Sequence, residues 1–472
     1  MSKVAIIGGG VAGSTIALHL AQLGVEVELF EQKQSLISGP PFCHLHAGGN
    51  LYREIDDNQC LSLLEQSIDF IKLYPLSIDY RPTVVSVPID DEGSADSLLP
   101  RLEKLQKHYQ YLIHKDKSNM LLGDPSEYYL LYSHDDLIHL KEADTPSKAQ
   151  CAKDWMISVA KYVDTNKLQS PLVMVQEYGI NMFWVASLAQ LALQSMPSAK
   201  LHLNTKVTDI KNVDDTWYLT ASSGDEIKTN EFDYLINAAG FETGNIDDML
   251  DIKVDRMVEF KAAYVTKWDN APALFPEIIF HGKRGTPKGM GQFTPYMSNH
   301  FQLHGMTKDI TLFEDGLQSS TQDSSYPRLP KHLLQKIKNS WDMDEVQSRT
   351  QKAIKHIARY IPTFQSATTA SVPLFGAQQI PGNNPELRVA EVAFDMPRYA
   401  RCEIVKVSSV TKMSDAIIED MKRFHLLSPN QKAFSTIDAF ATIDIDSVAS
   451  LAQQIAKDRG YSSDMAKIVY PN

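Results

Sequence analysis

Apolar residues open the chain in a recognisable order. Val4-Ala5-Ile6-Ile7 is a short, continuous, largely β-branched run, the pattern of a strand buried on both faces of a parallel sheet. Ile16, Leu20 and Leu23 then recur on one helical face, and Gly24 follows at the position where a helix end favours a left-handed residue. Val25-Glu26-Val27-Glu28-Leu29-Phe30 alternates as a second strand and ends on the acid Glu31. Further along, Leu61, Leu64, Ile68 and Ile71 mark a helix over 51–74, and a second helix is predicted over 99–113. From Arg256 to Gly316 the rhythm changes to strands. Thr294-Pro295-Tyr296, the turn residues Ser298-Asn299 and Phe301–Thr307 predict a hairpin, with His300, Gln302 and His304 on one face, toward either a substrate cavity or solvent. Leu374–Ala377 and Leu387–Ala390 read as later strands, Ser408 or Ser409 as the cap of a helix carrying Ala416, Ile417 and Met421, and the stretch from Asp444 on as an amphipathic helix with a polar end.

Length and charge narrow the class. At 472 residues, with 43% hydrophobic and 22% charged positions, the chain has material for two or three globular domains. Its formal charge of −12 argues against a general nucleic-acid binder, and no apolar run is long enough to predict a transmembrane helix. Cys43, Cys60, Cys151 and Cys402 are scattered, without a CxxC pair or a zinc-like spacing, so no metal site is predicted and free thiols in a reducing compartment are expected. The first structured motif begins at Lys3, which leaves no room for a leader, and a cytoplasmic location is the expectation.

Between the first strand and the first helix stands Gly8-Gly9-Gly10-Val11-Ala12-Gly13. In a strand–turn–helix unit of this kind the first glycine permits the tight turn, the second admits a pyrophosphate close to the backbone, and the third lets helix pack on strand. The helix N-terminus presents unpaired N–H groups to the phosphates, and a carboxylate at the end of the second strand accepts from ribose hydroxyls while repelling a 2′-phosphate. The order strand, glycine turn, helix, strand, acid therefore predicts an adenine dinucleotide site, FAD or NAD.

Three later segments extend this into a resemblance. Gln176–Asn181 followed by an Ala/Leu-rich stretch to Ser195, Asn204–Ile210, and Asp233-Tyr234-Leu235-Ile236-Asn237-Ala238-Ala239-Gly240 stand in an order similar to that of the D-amino-acid oxidase-like (DAO) family of FAD-dependent oxidoreductases, with glycine and sarcosine oxidases and, more distantly, malate:quinone oxidoreductases. The resemblance implies FAD rather than NAD. It implies a Rossmann-like FAD-binding domain of the three-layer ββα type with a second, β-sheet-rich substrate domain. Residues 1–80, 171–250 and 381–425 would build the first, 251–380 the second, with 81–170 a helical insertion and 426–472 a tail that is either packed or an interaction segment. The cofactor contacts it implies are Gly8, Gly10, Gly13, Glu31, Gln32, His46, Ala47, Gly48, Val207, Ala239, Gly240, Lys406, Ser408 and Ser409. His46-Ala47-Gly48-Gly49 is also similar to the His-Ala-Ala-Gly of dimethylglycine and sarcosine dehydrogenases, whose histidine is linked to FAD, so covalent and non-covalent contact both stay open. One departure stands out: 398–409, where relatives carry glycines against the flavin, holds none.

The activity implied is hydride transfer to flavin N5 from a carbon bearing an amine or hydroxyl in a small anionic amino or hydroxy acid. The electron acceptor, whether oxygen, a quinone or a protein, stays open. A substrate carboxylate suits an arginine fork, with Arg256, Arg284, Arg398 and Arg401 as candidates. Arg398, Arg401 and His304 are the candidate catalytic residues, and Tyr264, Tyr296 and Tyr399 are possible hydroxyl donors. The rival reading is a flavin-binding partner subunit or redox module without turnover of its own.

Overall fold

The computed structural model describes residues 2–39, 45, 55–338, 340–385, 387, 392–403 and 406–468. Two layers of sheet organise them. The first sheet opens with β1 (Lys3–Ile7), whose buried run pairs in parallel on both sides, with β2 (Glu26–Phe30) and with Tyr234–Asn237. Outward from these lie Ala199–His202 beside β2, and Tyr399–Cys402 then Val392–Ala393 beyond Tyr234–Asn237; only the last pair is antiparallel. The helix α1 (Val11–Gln22) connects β1 to β2 and ends where sequence places its stop, with Gly24 at φ +81°. An antiparallel three-stranded sheet, Lys206–Val213, Thr216–Ser223 and Glu226–Phe232, covers one side of this parallel sheet through Val207, Trp217 and Leu219.

The second large sheet carries ten strands among the described residues. Its backbone is the long strand Arg256–Lys267, which pairs with Leu374–Pro381, Leu312–Ser319 and His300–Gly305. The predicted hairpin is present: Gly291–Pro295 and His300–Gly305 pair antiparallel about Ser298 and Asn299, both with positive φ. The segment read as a helical insertion also supplies strands, Thr83–Ser86 and Tyr129–Tyr132, joined through Leu172–Val175. Alternation decides what each face of this sheet meets. Val258, Phe260, Ala262, Tyr264, Phe293 and Leu303 face helix Met343–Ala358 and the Trp268–Phe364 cluster. Ala263, Val265, Val85 and Val175 face the other way, into the core of the parallel-sheet domain.

The expected helices form over Asp57–Leu73, Leu99–Lys115, Met182–Ser195 and Val410–Arg423. Of the helix expected from Leu51, residues 51–54 lie outside the described residues, and Asp56 caps the part that is described. Of the strand read at Leu387–Ala390, only Leu387 is described. Ser409 precedes Val410–Arg423, but its hydroxyl donates to Gln66 Oε1 (2.9 Å) instead of capping the helix. The tail is packed: helix Ile445–Asp458 lies on Met182–Ser195, where the Ser187 hydroxyl donates to the Val448 carbonyl (2.8 Å) and Trp184 Nε1 to that of Ala466 (2.5 Å). No helix among the described residues is long and apolar enough to cross a membrane.

Candidate active site

The glycine turn is packed so tightly that backbone atoms exclude side chains at Gly8 and Gly13. A Cβ on Gly8 (φ +99°) would stand 2.4 Å from the Ala238 carbonyl oxygen, and one on Gly13 would stand 1.9 Å from that of Gly8. Gly10 differs: its φ of −64° suits any residue, and a Cβ there meets nothing within 4 Å. Close packing thus explains Gly8 and Gly13, while Gly10 keeps space clear above the start of α1. Among the described residues that helix has no side-chain cap, and its first turn holds no acid, an end where an anion is favoured.

The other predicted nucleotide contacts gather at the same edge of the parallel sheet. Ala238 N donates to Ile7 O (2.8 Å), which brings the turn of Ala239 and Gly240 (φ +61°) against Gly8. Thr205 N donates to Glu31 O (2.9 Å), which sets the strand of Val207 beside the end of β2. Glu31 is buried, and its carboxylate accepts from Gly9 N (2.7 Å) and Lys33 N (2.8 Å). Burial pushes its pKa up, against those two amides and the positive charges of Lys33 and Arg459. The carboxylate therefore braces the glycine turn, and its remaining lone pairs are what a ribose would meet. Gln32 is exposed beside it. His46, Ala47 and Gly48, and with them the question of a covalent link, lie outside the described residues.

Opposite this edge, the second sheet presents a polar face. Glu259 and Lys261 alternate with the core residues of their strand, and both are largely buried. Lys261 Nζ is 2.7 Å from Glu259, whose other oxygen accepts from the Arg284 guanidinium. The two cations outweigh burial and hold the Glu259 carboxyl below its usual range. His304 belongs to this cluster: burial, and then Lys261, Lys406 and Arg284, pull its imidazole down to about 3, so it is neutral across the physiological range. Across the sheet, Arg81 pairs with Asp79 and Glu277, and Gln292 donates to Glu277. The Tyr296 hydroxyl donates to Gln302 Oε1 (3.4 Å). The face thus has one end where two cations share a carboxylate, and another where two carboxylates share a guanidinium.

The remaining predicted residues are placed elsewhere. Arg401 is bonded to Glu403 (2.6 Å) and Asp247 (3.3 Å) and also paired with Asp395, so its fork is engaged. Arg256 joins the same buried cluster through Asp247 (2.7 Å) and Glu403 (3.2 Å), and the Tyr399 hydroxyl donates to Asp247 (2.9 Å). This cluster ties the parallel sheet to the second sheet. Arg398 has φ +55°, and its guanidinium lies over the Phe424 ring. Tyr264 faces the apolar core on the far side of its strand. The Lys406 charge is near enough to His304 to draw its imidazole down, and Ser408 and Ser409 are buried just before helix Val410–Arg423. Reading the sequence does not single out Glu259, Lys261, Glu277 or Arg81. The alternation Val258-Glu259-Phe260-Lys261-Ala262 is the available signal, since charges at period two within an apolar strand mark a polar face.

Residues 3–139 match the family model described as FAD dependent oxidoreductase (DAO). Over these residues the chain is similar to a DAO-type FAD-dependent oxidoreductase domain. The DAO fold extends well beyond the matched segment. Glycine oxidase from Geobacillus kaustophilus superposes with a TM-score of 0.55 at 12% identity, over 92% of this chain and 97% of that one. L-alpha-glycerophosphate oxidase from Mycoplasma pneumoniae, solved with FAD bound, gives 0.55 at 15% identity, over 92% and 99%. L-amino acid deaminase from Proteus vulgaris gives 0.55 at 11% identity, over 91% and 95%. No curated protein matches in sequence at a significant level. FAD is the cofactor of the DAO domain, and the residues present fit it: an open space at Gly10, an uncapped helix start, and a buried acid at the end of β2.

Proposed function

We propose that this chain oxidises a C–N or C–O bond in a small amino or hydroxy acid, with the substrate's anionic group held at Lys261 and Arg284. The observation that carries this reading is the polar face itself, where two cations share the single carboxylate of Glu259 on a sheet packed against the nucleotide domain. Lys261 and Arg284 set ammonium and guanidinium donors side by side on this face, and Arg284 brings a planar fork suited to a carboxylate or phosphate. The structural relatives are named for glycine, glycerophosphate and L-amino acids, all of them small molecules that carry a carboxylate or phosphate, which agrees with such a site.

Gly8, Gly10, Gly13 and Glu31 would hold the dinucleotide, with Val207, Ala239 and Gly240 around it. When bound, FAD supplies a two-electron acceptor at N5 that takes a hydride from the substrate carbon. The chain's own residues bind and orient. Lys261 and Arg284 fix the anion, and Glu259 keeps both from turning to solvent. Neutral His304 offers a hydrogen bond without adding charge. The carboxylates Glu277 and Asp79, shared by Arg81, lie toward the other end of the face, where a substrate ammonium is favoured over a second anion. Loss of that hydride together with a proton from the amine or hydroxyl, the proton passing to solvent, would give an imine or a carbonyl. Arg401 and Arg398 act in this reading as supports of the wall behind the cofactor.

Anaerobic mixing of the purified yellow protein with a panel of amino acids, hydroxy acids and glycerophosphate tests the proposal. Bleaching by one class supports it and names the class; a flavin inert to all of them overturns it. Reoxidation of the bleached sample with oxygen, then with a quinone, identifies the acceptor.

A further inference from the structure

Past Glu31, the chain lays a short buried strap, Ser35-Leu36-Ile37, directly over the glycine turn. Leu36 Cδ2 fills the place a side chain at Gly9 would need, 2.5 Å from its ideal Cβ. Ile37 N donates to Gly9 O (2.7 Å), while Gly9 N donates to Glu31 (2.7 Å), so both backbone polar groups of Gly9 are gripped. This geometry is unfavourable for the strap itself. Ile37 has φ +54°, a left-handed conformation that a β-branched residue rarely adopts and that must be enforced by its surroundings.

What enforces it comes from the other end of the sequence. Arg459, at the end of the tail helix Ile445–Asp458, donates to Ile37 O (3.0 Å), Leu36 O (2.7 Å) and Ser35 Oγ (2.9 Å). Its guanidinium lies near the Phe183 ring (5.9 Å). A guanidinium suits this role because its planar fork satisfies several acceptors at once with little further loss of freedom. Arg459 also brings a positive charge close to buried Glu31.

We propose that Arg459 is a positioning residue for the dinucleotide, through which the carboxyl-terminal tail locks the strap onto the glycine turn and so sets FAD affinity. The inference rests on the FAD reading of that turn. It gives the tail a defined part in holding cofactor, as well as a packing role. Without Arg459 the strap relaxes toward an ordinary φ for Ile37, Gly9 loses its amide partner, and the loop no longer presents the turn in its binding shape.

The test measures FAD binding by flavin fluorescence on the full-length apo-protein, for the wild type, Arg459→Ala and Ile455→Ala. Ile455 packs the same tail helix into the core with an apolar side chain that can make no hydrogen bond to the strap, so its variant controls for lost stability. Titrations are made well below the melting temperature of every variant. The expected result is a Kd raised about tenfold or more for Arg459→Ala, the effect of losing a charged multidentate hydrogen-bond group, with Ile455→Ala near wild type. Equal affinity for Arg459→Ala and wild type overturns the inference and leaves the FAD reading standing. Equal weakening by both variants also overturns it, since the tail would then act through stability. A wild-type protein that binds no FAD overturns the reading of the turn and the inference together.

Discussion

The carboxylate of Glu259 is shared by two cations, with Lys261 Nζ at 2.7 Å and the Arg284 guanidinium on its other oxygen. All three stand on the face of the second sheet that turns toward the nucleotide domain, with His304 beside them. Lys261 and Arg284 thus present their donors side by side on one face, where an incoming substrate anion would meet both.

Replacing Lys261 or Arg284 by Gln is therefore expected to raise KM for the anionic substrate about tenfold or more, with a smaller effect on kcat. Steady-state kinetics with the substrate class found by flavin bleaching measure this. Unchanged KM in both variants would remove the anion site from this end of the face.

The glycine turn separates folding from binding. Gly13→Ala forces a Cβ to 1.9 Å from the Gly8 carbonyl and is expected to destabilise the domain. Gly10→Ala meets no protein atom within 4 Å and keeps an allowed φ of −64°. Its apo-protein is expected to melt close to wild type while FAD affinity falls, because the added methyl occupies space needed by the diphosphate. Calorimetry beside flavin titration distinguishes the two effects.

His19 lies wholly buried on α1 without a hydrogen-bond partner for either ring nitrogen among the described residues. Burial draws its pKa from 6.5 down to about 4. The unfolded chain takes up this proton near pH 6.5 and the folded chain only near pH 4, so the full stability is present above the first value and is lost toward the second. That loss amounts to about 3 kcal/mol. Denaturant unfolding across this range checks it: His19→Leu is expected to fall less than wild type as the pH drops.

Asp247 accepts from Arg256 (2.7 Å), Arg401 (3.3 Å) and Tyr399 (2.9 Å) at the join of the two sheets. Burial raises its pKa, and the two arginines oppose that rise. Asp247→Ala leaves both guanidinium groups buried with Glu403 as their main partner and is expected to cost about 3–5 kcal/mol. Asp395→Ala removes a more exposed partner of Arg401 and is expected to cost about 1 kcal/mol or less. Unfolding curves of the two variants should separate accordingly.

Sequence alone determined the nucleotide-binding unit, because its requirements are local. A buried strand, a glycine turn and an amphipathic helix follow one another within a few residues, and their periodicities and missing side chains are written in order from Val4 to Glu31. The hairpin about Ser298 and Asn299 was legible for the same reason. The charged groups could not be assigned that way. Arg401, Arg256, Arg284 and Lys261 differ little as letters in a sequence, and only the pairing of distant strands decides which guanidinium is buried against Asp247 and which shares Glu259 with a lysine. The tail shows the same limit most clearly. Nothing near Arg459 in sequence hints at Ile37, since a hydrogen bond from a side chain to a backbone carbonyl depends on where the fold brings the two together and leaves no pattern in the neighbours of either.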